Sequence, residues 1–288
     1  MTTAVDNLAA PTPPPGTPAA EDPARVLPIR RLCLVDYHLR GREIRDQRAM
    51  GAMQAHIHGW LYRLALGPER RPTDPEQDAA PFGAWILSPD RRMARPGILS
   101  VRVCWYGEEH AHRAIATLAR EQSALLGGDP YALDAVSPVS REPIEPGPLL
   151  SGAEEAKAVR IRTLSPVGFR RHTRWHVGLD PIDVLSSAAA RWDRLWPGTL
   201  PEVALDTPTG RRAWTKTIAV TGMEVRTVYR DLGGKGTQGG AVGEAEWDLY
   251  AVRTPTQRRL ALALLRGGEV FGVGSRTAYG LGAIRVEV

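Results

Sequence analysis

A strand–helix–strand–strand–helix–strand order runs through this chain twice, and no other feature of the 288 residues restricts the fold so strongly. LPIRRLCLVDYHL alternates as a strand does, and REIRDQRAMGAMQAHIHGWLYRLALG follows with helical periodicity. GAWILSP and GILSVRVCWYG read as strands, EEHAHRAIATLAREQSALLGG as an amphipathic helix stopped by glycines, and YALDAVSPV as a closing strand. The order then recurs. KAVRIRTLSPVGFRRHTRWHV offers two strands around a turn, and DPIDVLSSAAARWDRLW a helix with Asp180 as N-cap and Pro181 in its first turn. TKTIAVTGMEVRTVYR reads as a hairpin across Thr221-Gly222, and AVGEAEWDLYAV as a strand. TPTQRRLALALLRGG is a helix capped by Thr254 and ending at Gly267, and AIRVEV closes the chain.

The expected fold is therefore α+β, with two tandem ferredoxin-like (βαββαβ) domains over residues 27–140 and 157–288. Residues 141–156 carry three prolines and two glycines and read as a linker. Residues 1–26 are rich in proline and alanine, with almost no large apolar residues, and are expected to be disordered.

Charge narrows the function. The net charge is +5, and arginine carries it, because Lys157, Lys216 and Lys235 are the only lysines. Arginine grips phosphate as a bidentate fork and stacks on bases, so the bias leans toward nucleic acid, against the plainer alternative of an arginine-rich surface. Cys33 and Cys104 sit in apolar runs without metal spacing, which fits a reducing compartment. No stretch is apolar enough to cross a bilayer and the start lacks signal-peptide character, so a cytoplasmic protein without membrane association is expected.

On a helical wheel of residues 44–66, Met50, Met53, Ile57, Trp60, Leu61 and Leu64 form a core stripe. Arg45, Arg48, His56 and Arg63 gather opposite, with His58 and Tyr62 on the flank of that polar face. A cationic ridge holding an imidazole suits phosphate binding and proton transfer; the alternative is a solvated basic face. His38 lies just after the first strand, near Arg40 and Arg42. His172 and His176 alternate with Arg170, Arg171 and Arg174 along one extended segment, a pattern suited to RNA contact. His110 and His112 fall near the start of an exposed helix and are set aside.

Several motifs fail. In GGKGTQGG, Lys235 is followed by Gly236 rather than Ser or Thr and no helix begins there, so a mobile glycine loop touching a backbone phosphate is the better reading. No nucleophile elbow, metal-ligand cluster or dinucleotide fingerprint occurs, and no cofactor or metal is implied. The ending FGVGSRTAYGLGAIRVEV places a glycine-rich loop, residues 271–282, between a helix and the last strand. Gly272 and Gly274 let another backbone approach, exposed amides form an anion-binding concavity, and Ser275 and Arg276 project from its centre. A tight structural connection is the alternative.

That ending resembles the glycine-rich signature of the RAMP superfamily of CRISPR systems. TLSPVGFRR, residues 163–171, is similar to the Ser-Pro segment opening the second domain in its precursor-crRNA-processing endoribonuclease branch. GEAEWDLY, followed by a helix and the glycine loop, follows the same layout. The resemblance extends over residues 157–288 and, through element order and IHGWLYRL, less fully over 27–140. It implies a RAMP-type, metal-independent ribonuclease. Such an enzyme cuts CRISPR repeat RNA, often a hairpin, by 2′-hydroxyl attack, leaving 2′,3′-cyclic phosphate and 5′-hydroxyl ends. It also implies contact with other CRISPR effector subunits through retained crRNA. The scarcity of lysine turns the charge-stabilising role toward arginine. The candidate catalytic residues are His56 as acid or base, Arg48 and Arg63 on the phosphate, and His58 and Tyr62 next. The candidate RNA-binding residues are His38, Arg40, Arg42, Arg45, Arg170, Arg171, Arg174, Lys235, Gly272, Gly274, Ser275 and Arg276. A non-catalytic RAMP subunit and a general single-strand RNA-binding module are the competing functions.

Overall fold

A computed structural model of the chain describes residues 30–42, 47–67, 80–87, 97–140, 142–152, 156–171, 174–200, 217–232, 236–252 and 254–288. The tail 1–26, Arg45, His172 and Lys235 lie outside the described residues, as do the side chains of Arg48 and Arg171.

The first domain is built from β1 (Leu32–Arg40), α1 (Gln47–Leu66), β2 (Phe82–Ile86), β3 (Ile98–Tyr106), α2 (Glu108–Glu121), β4 (Ser123–Leu126) and β5 (Asp129–Pro138). Its antiparallel sheet has the order β2-β3-β1-β5-β4, which is the ferredoxin-like arrangement with β4 added at one edge. Strand β1 explains itself by its alternation. Val35, Tyr37 and Leu39 point into a core with Ile57, Trp60, Leu61 and Leu64 of α1, while Asp36, His38 and Arg40 take the other face. Across that face Arg102 donates two hydrogen bonds of 2.8 Å to the Asp36 carboxylate.

One expectation here is corrected. The helix read as running to the glycines ends at Glu121, where Gln122 adopts a left-handed conformation. Ser123–Leu126 is then a strand with Ala124 and Leu126 buried, and Gly127-Gly128, both at positive φ, turn it into β5. The glycine pair is a hairpin turn, not a helix stop.

After a short helix α3 (Pro146–Ser151) within the expected linker, the second domain comprises β6 (Ala158–Thr163), β7 (Gly168–Arg171), β8 (Arg174–Val177) and α4 (Pro181–Leu195). It continues with β9 (Ala219–Asp231), β10 (Thr237–Asp248), α5 (Pro255–Phe271) and β11 (Ile284–Glu287). Its sheet order is β11-β6-β10-β9, again ferredoxin-like, with β7 and β8 forming a separate hairpin. Both expected caps are made: Asp180 accepts from Ile182 N at 2.9 Å and Thr254 from Gln257 N at 3.2 Å.

Three local readings change. Thr221-Gly222 is no turn: β9 is one continuous strand, and the register shift opposite Glu246 and Trp247 makes Thr221 the extra residue of a bulge. The segment Thr237–Gly240, expected in a mobile loop, belongs to β10. Helix α5 passes through Gly267 to Phe271 because Gly267 is a contact surface, where a Cβ would meet Phe271 at 2.8 Å and Trp192 at 3.0 Å.

The two sheets are joined, not merely tethered. Leu32, Leu34, Trp85 and Cys104 of the first sheet belong to the apolar core that contains Trp192, Trp196, Trp247 and Phe271 of the second domain. Trp85 Nε1 donates to the Leu281 carbonyl at 3.0 Å, so the glycine loop lies in this joint. Among the described residues no helix is long and apolar enough to cross a membrane.

Candidate active site at the domain joint

Helix α1 turns its apolar stripe to the first sheet, which leaves His58 and Tyr62, one turn apart, on its flank facing the second domain. The His58 imidazole stacks on Tyr279 of the glycine loop, with centroids 3.9 Å apart and planes 20° from parallel. Its Nδ1 lies 3.1 Å from the Ala278 carbonyl oxygen. Tyr62 and Phe82 complete the aromatic surround at 5.2 Å and 5.5 Å from the imidazole. These groups line a cleft of about 480 Å³ together with Arg30, Tyr106, Arg191, Arg194 and Arg276. No carboxylate is among its lining residues. Burial pushes the Tyr106 phenol above its ordinary pKa, against the opposing pull of Arg191.

The cleft continues on both sides of Arg194. One arm contains Arg31, Glu108 and Glu109; the other contains Arg170, Asp183, Ser187 and Ser275. Four arginines in the central cleft make it suited to a polyanion.

The glycine loop forms one wall, but not as an open floor of amides. Val273 N donates to Gly282 O, Gly274 N to Ser187 Oγ, Ser275 N to Gly168 O, Gly280 N to Thr277 O and Gly282 N to Pro166 O. These amides are satisfied inside the protein. Gly272 is buried and Gly274 half-buried, and a Cβ on Gly274 would come within 2.5 Å of the Gly168 carbonyl oxygen. The glycines permit close packing within the chain, and the loop offers side chains to the cleft. Arg276 holds a left-handed conformation with φ 60°, which is uncommon for a residue with a side chain, and its guanidinium sits 6.0 Å from the Tyr279 ring.

The candidates therefore separate. His58, Tyr62 and Arg276 share the central cleft, with Arg170 and Ser275 in its adjoining arm. His56, on an exposed part of α1, leans instead on Gly127 of the β4–β5 turn, where a Cβ would come within 2.8 Å of its ring. Arg63 is exposed in the last turn of α1. On β1, His38 pairs through Nδ1 with Ser100 Oγ at 2.9 Å and Arg40 pairs with Asp134, while Arg42 lies 3.8 Å from Asp129. Arg174 is exposed on the β8 hairpin strand. None of these lines the central cleft. Sequence reading missed Tyr279, Tyr106, Arg30, Arg191 and Arg194. The spacing of Ser187, Arg191 and Arg194 along α4 was a usable signal, since residues three and four apart share a helix face. Among the described residues no group of three His, Cys, Asp or Glu side chains is placed to hold a metal.

Chemically, a carbonyl can only accept, so His58 Nδ1 is the donor of that pair and neutral His58 carries its lone pair on Nε2. The cleft thus pairs a fixed imidazole with several guanidiniums, the equipment for moving a proton beside a phosphodiester.

Residues 161–284 match the family model described as CRISPR-associated endoribonuclease Cas6. The chain has the Cas6 fold and carries the Cas6 sequence pattern in its second domain. A structure described as Cas6 (TTHA0078) product complex is 24% identical, covering 89% of this chain and 99% of that one with a TM-score of 0.68. Cas6 (TTHB231) product complex, from Thermus thermophilus, is 21% identical over 89% of this chain and 100% of that one, at a TM-score of 0.69. An RAMP protein binding different RNA substrates is 12% identical over 89% of this chain and 100% of that one, at 0.53. No curated protein matches the chain. The Cas6 likeness thus covers both domains in fold and the second in sequence, and it places the glycine loop inside the matched region.

Proposed function

We propose that this protein is an endoribonuclease that binds CRISPR repeat RNA in precursor crRNA and cleaves it within the repeat by attack of a ribose 2′-hydroxyl. The observation that carries the reading is the His58 imidazole, fixed by Ala278 and Tyr279 in a cleft lined by arginines. The match of residues 161–284 to a Cas6 endoribonuclease model supports the same class of activity.

In this reaction the nucleophile belongs to the substrate, so the protein has to hold the scissile nucleotide in line and manage two protons and one developing charge. His58 Nε2 accepts the proton of the 2′-hydroxyl as its oxygen bonds to phosphorus. The bond from phosphorus to the 5′-oxygen breaks, and that oxygen takes up a proton. Tyr62, beside His58, is the candidate donor. Arg276 and Arg194 stabilise the dianionic phosphorane. The products are a 2′,3′-cyclic phosphate and a 5′-hydroxyl. No step requires a metal ion.

The test is single-turnover cleavage of a repeat RNA, its 2′-deoxy analogue at the scissile nucleotide, and the native RNA with EDTA. The reading expects one discrete cut, no cut in the analogue, and no effect of chelation. Binding without discrete products would instead favour a guide-holding subunit, and cleavage of the analogue or loss of activity with EDTA would overturn the mechanism.

A further inference from the structure

We infer that Arg191 is a positioning residue for His58, acting from the second domain through the glycine loop. The inference rests on the reading of His58 as the base. Arg191 sits half-buried on α4 and sends its guanidinium into the loop from beneath. One terminal nitrogen donates to the Phe271 carbonyl at 2.7 Å and to Thr277 Oγ1; the other donates to the Gly274 carbonyl at 3.0 Å. One turn earlier on the same helix face, Ser187 Oγ accepts from Gly274 N at 2.7 Å. The loop is thus fastened to α4 at its start and at Thr277.

Thr277 opens the 3₁₀ turn Thr277–Tyr279, which Gly280 closes by donating back to the Thr277 carbonyl at 3.2 Å. That turn carries both groups that hold His58: the Ala278 carbonyl on Nδ1 and the Tyr279 ring beneath the imidazole. A shift of the turn moves both at once. The guanidinium spends three donor contacts on protein acceptors in fixed directions, and Tyr106 also hydrogen-bonds to it. This is the geometry of a bracket. A lysine there would keep the charge but lose the planar fork, because an ammonium cannot address diverging acceptors from one plane.

The substitution Arg191→Lys therefore separates positioning from a direct contact with RNA phosphate. Expected are a fall in single-turnover cleavage of about 10²-fold and repeat-RNA affinity and salt dependence close to wild type. Thr277→Val, which removes a single acceptor from a buried site without changing volume, lowers cleavage in the same direction and by less. The direct readout is the ring-nitrogen NMR spectrum of His58 in the RNA-free protein above neutral pH. Wild type shows the Nδ1–H tautomer, and Arg191→Lys shifts the population toward Nε2–H. Retention of the wild-type tautomer in Arg191→Lys, or full cleavage by that variant, overturns the inference. Failure of wild type to cut repeat RNA would sink the functional reading instead, and the tautomer comparison would still decide the role of Arg191.

Discussion

His58 and Tyr279, 221 positions apart in the chain, lie face to face with ring centroids 3.9 Å apart. That contact joins the first helix of one ferredoxin-like domain to the glycine loop of the other, and with the Ala278 carbonyl it orients the imidazole. A site assembled across the joint depends on the joint. The shared core of Leu32, Leu34, Trp85 and Cys104 with the second domain's tryptophans holds the two sides of that contact together.

The first prediction concerns the loop glycines. Gly282 has φ +87°, and a Cβ there would stand 1.9 Å from the Val273 carbonyl oxygen. Gly282→Ala should destabilise the protein by on the order of 3 kcal/mol, a melting point roughly 5–10 °C lower. Gly59→Ala is the control, because nothing lies within 4 Å of a Cβ on that exposed helical glycine. It should stabilise by about 0.5–1 kcal/mol.

The second concerns charge. If the central cleft holds the RNA backbone, Arg194→Ala and Arg276→Ala should each weaken binding and reduce the slope of log affinity against log salt by about 1. The open face of the second sheet should behave differently. There Arg160 pairs with Glu246, and Arg162 lies 3.2 Å from Glu244 and 3.9 Å from Glu287, so the charges are already balanced. Arg160→Ala should leave the slope unchanged in the same titrations.

The third is a pH dependence of stability. Burial holds the His110 imidazole below its ordinary pKa, with Glu109 opposing the shift. The unfolded chain then binds this proton at a higher pH than the folded one. Stability is full above about pH 6.5, the ordinary histidine value, and declines as pH falls below it toward the folded value. His110→Gln should flatten that part of the melting-temperature profile between neutral and mildly acidic pH.

Much of the fold was legible because it is written in periodicity and caps. The alternation of β1, the apolar stripe of α1 and the caps Asp180 and Thr254 all appear as read. The glycine punctuation was harder. Gly127-Gly128 makes a hairpin turn, Gly222 follows a bulge and Gly267 admits a neighbouring ring, and all three look alike in one dimension. The site shows the same division. A helical wheel placed His58 and Tyr62 at the flank of a polar face but carried no information on what packs there, so His56 at its centre took precedence. Tyr279 and Arg191 make contacts eighty or more residues distant in sequence, which no local pattern encodes.

The central claim is that His58 moves the proton, and single-turnover cleavage of a repeat RNA by wild type, His58→Ala and His56→Ala tests it most directly. The account predicts that His58→Ala slows cleavage by about 10²–10⁴-fold with little change in RNA affinity, while His56→Ala cleaves at close to the wild-type rate. Full activity in His58→Ala, or its loss in His56→Ala, would contradict it.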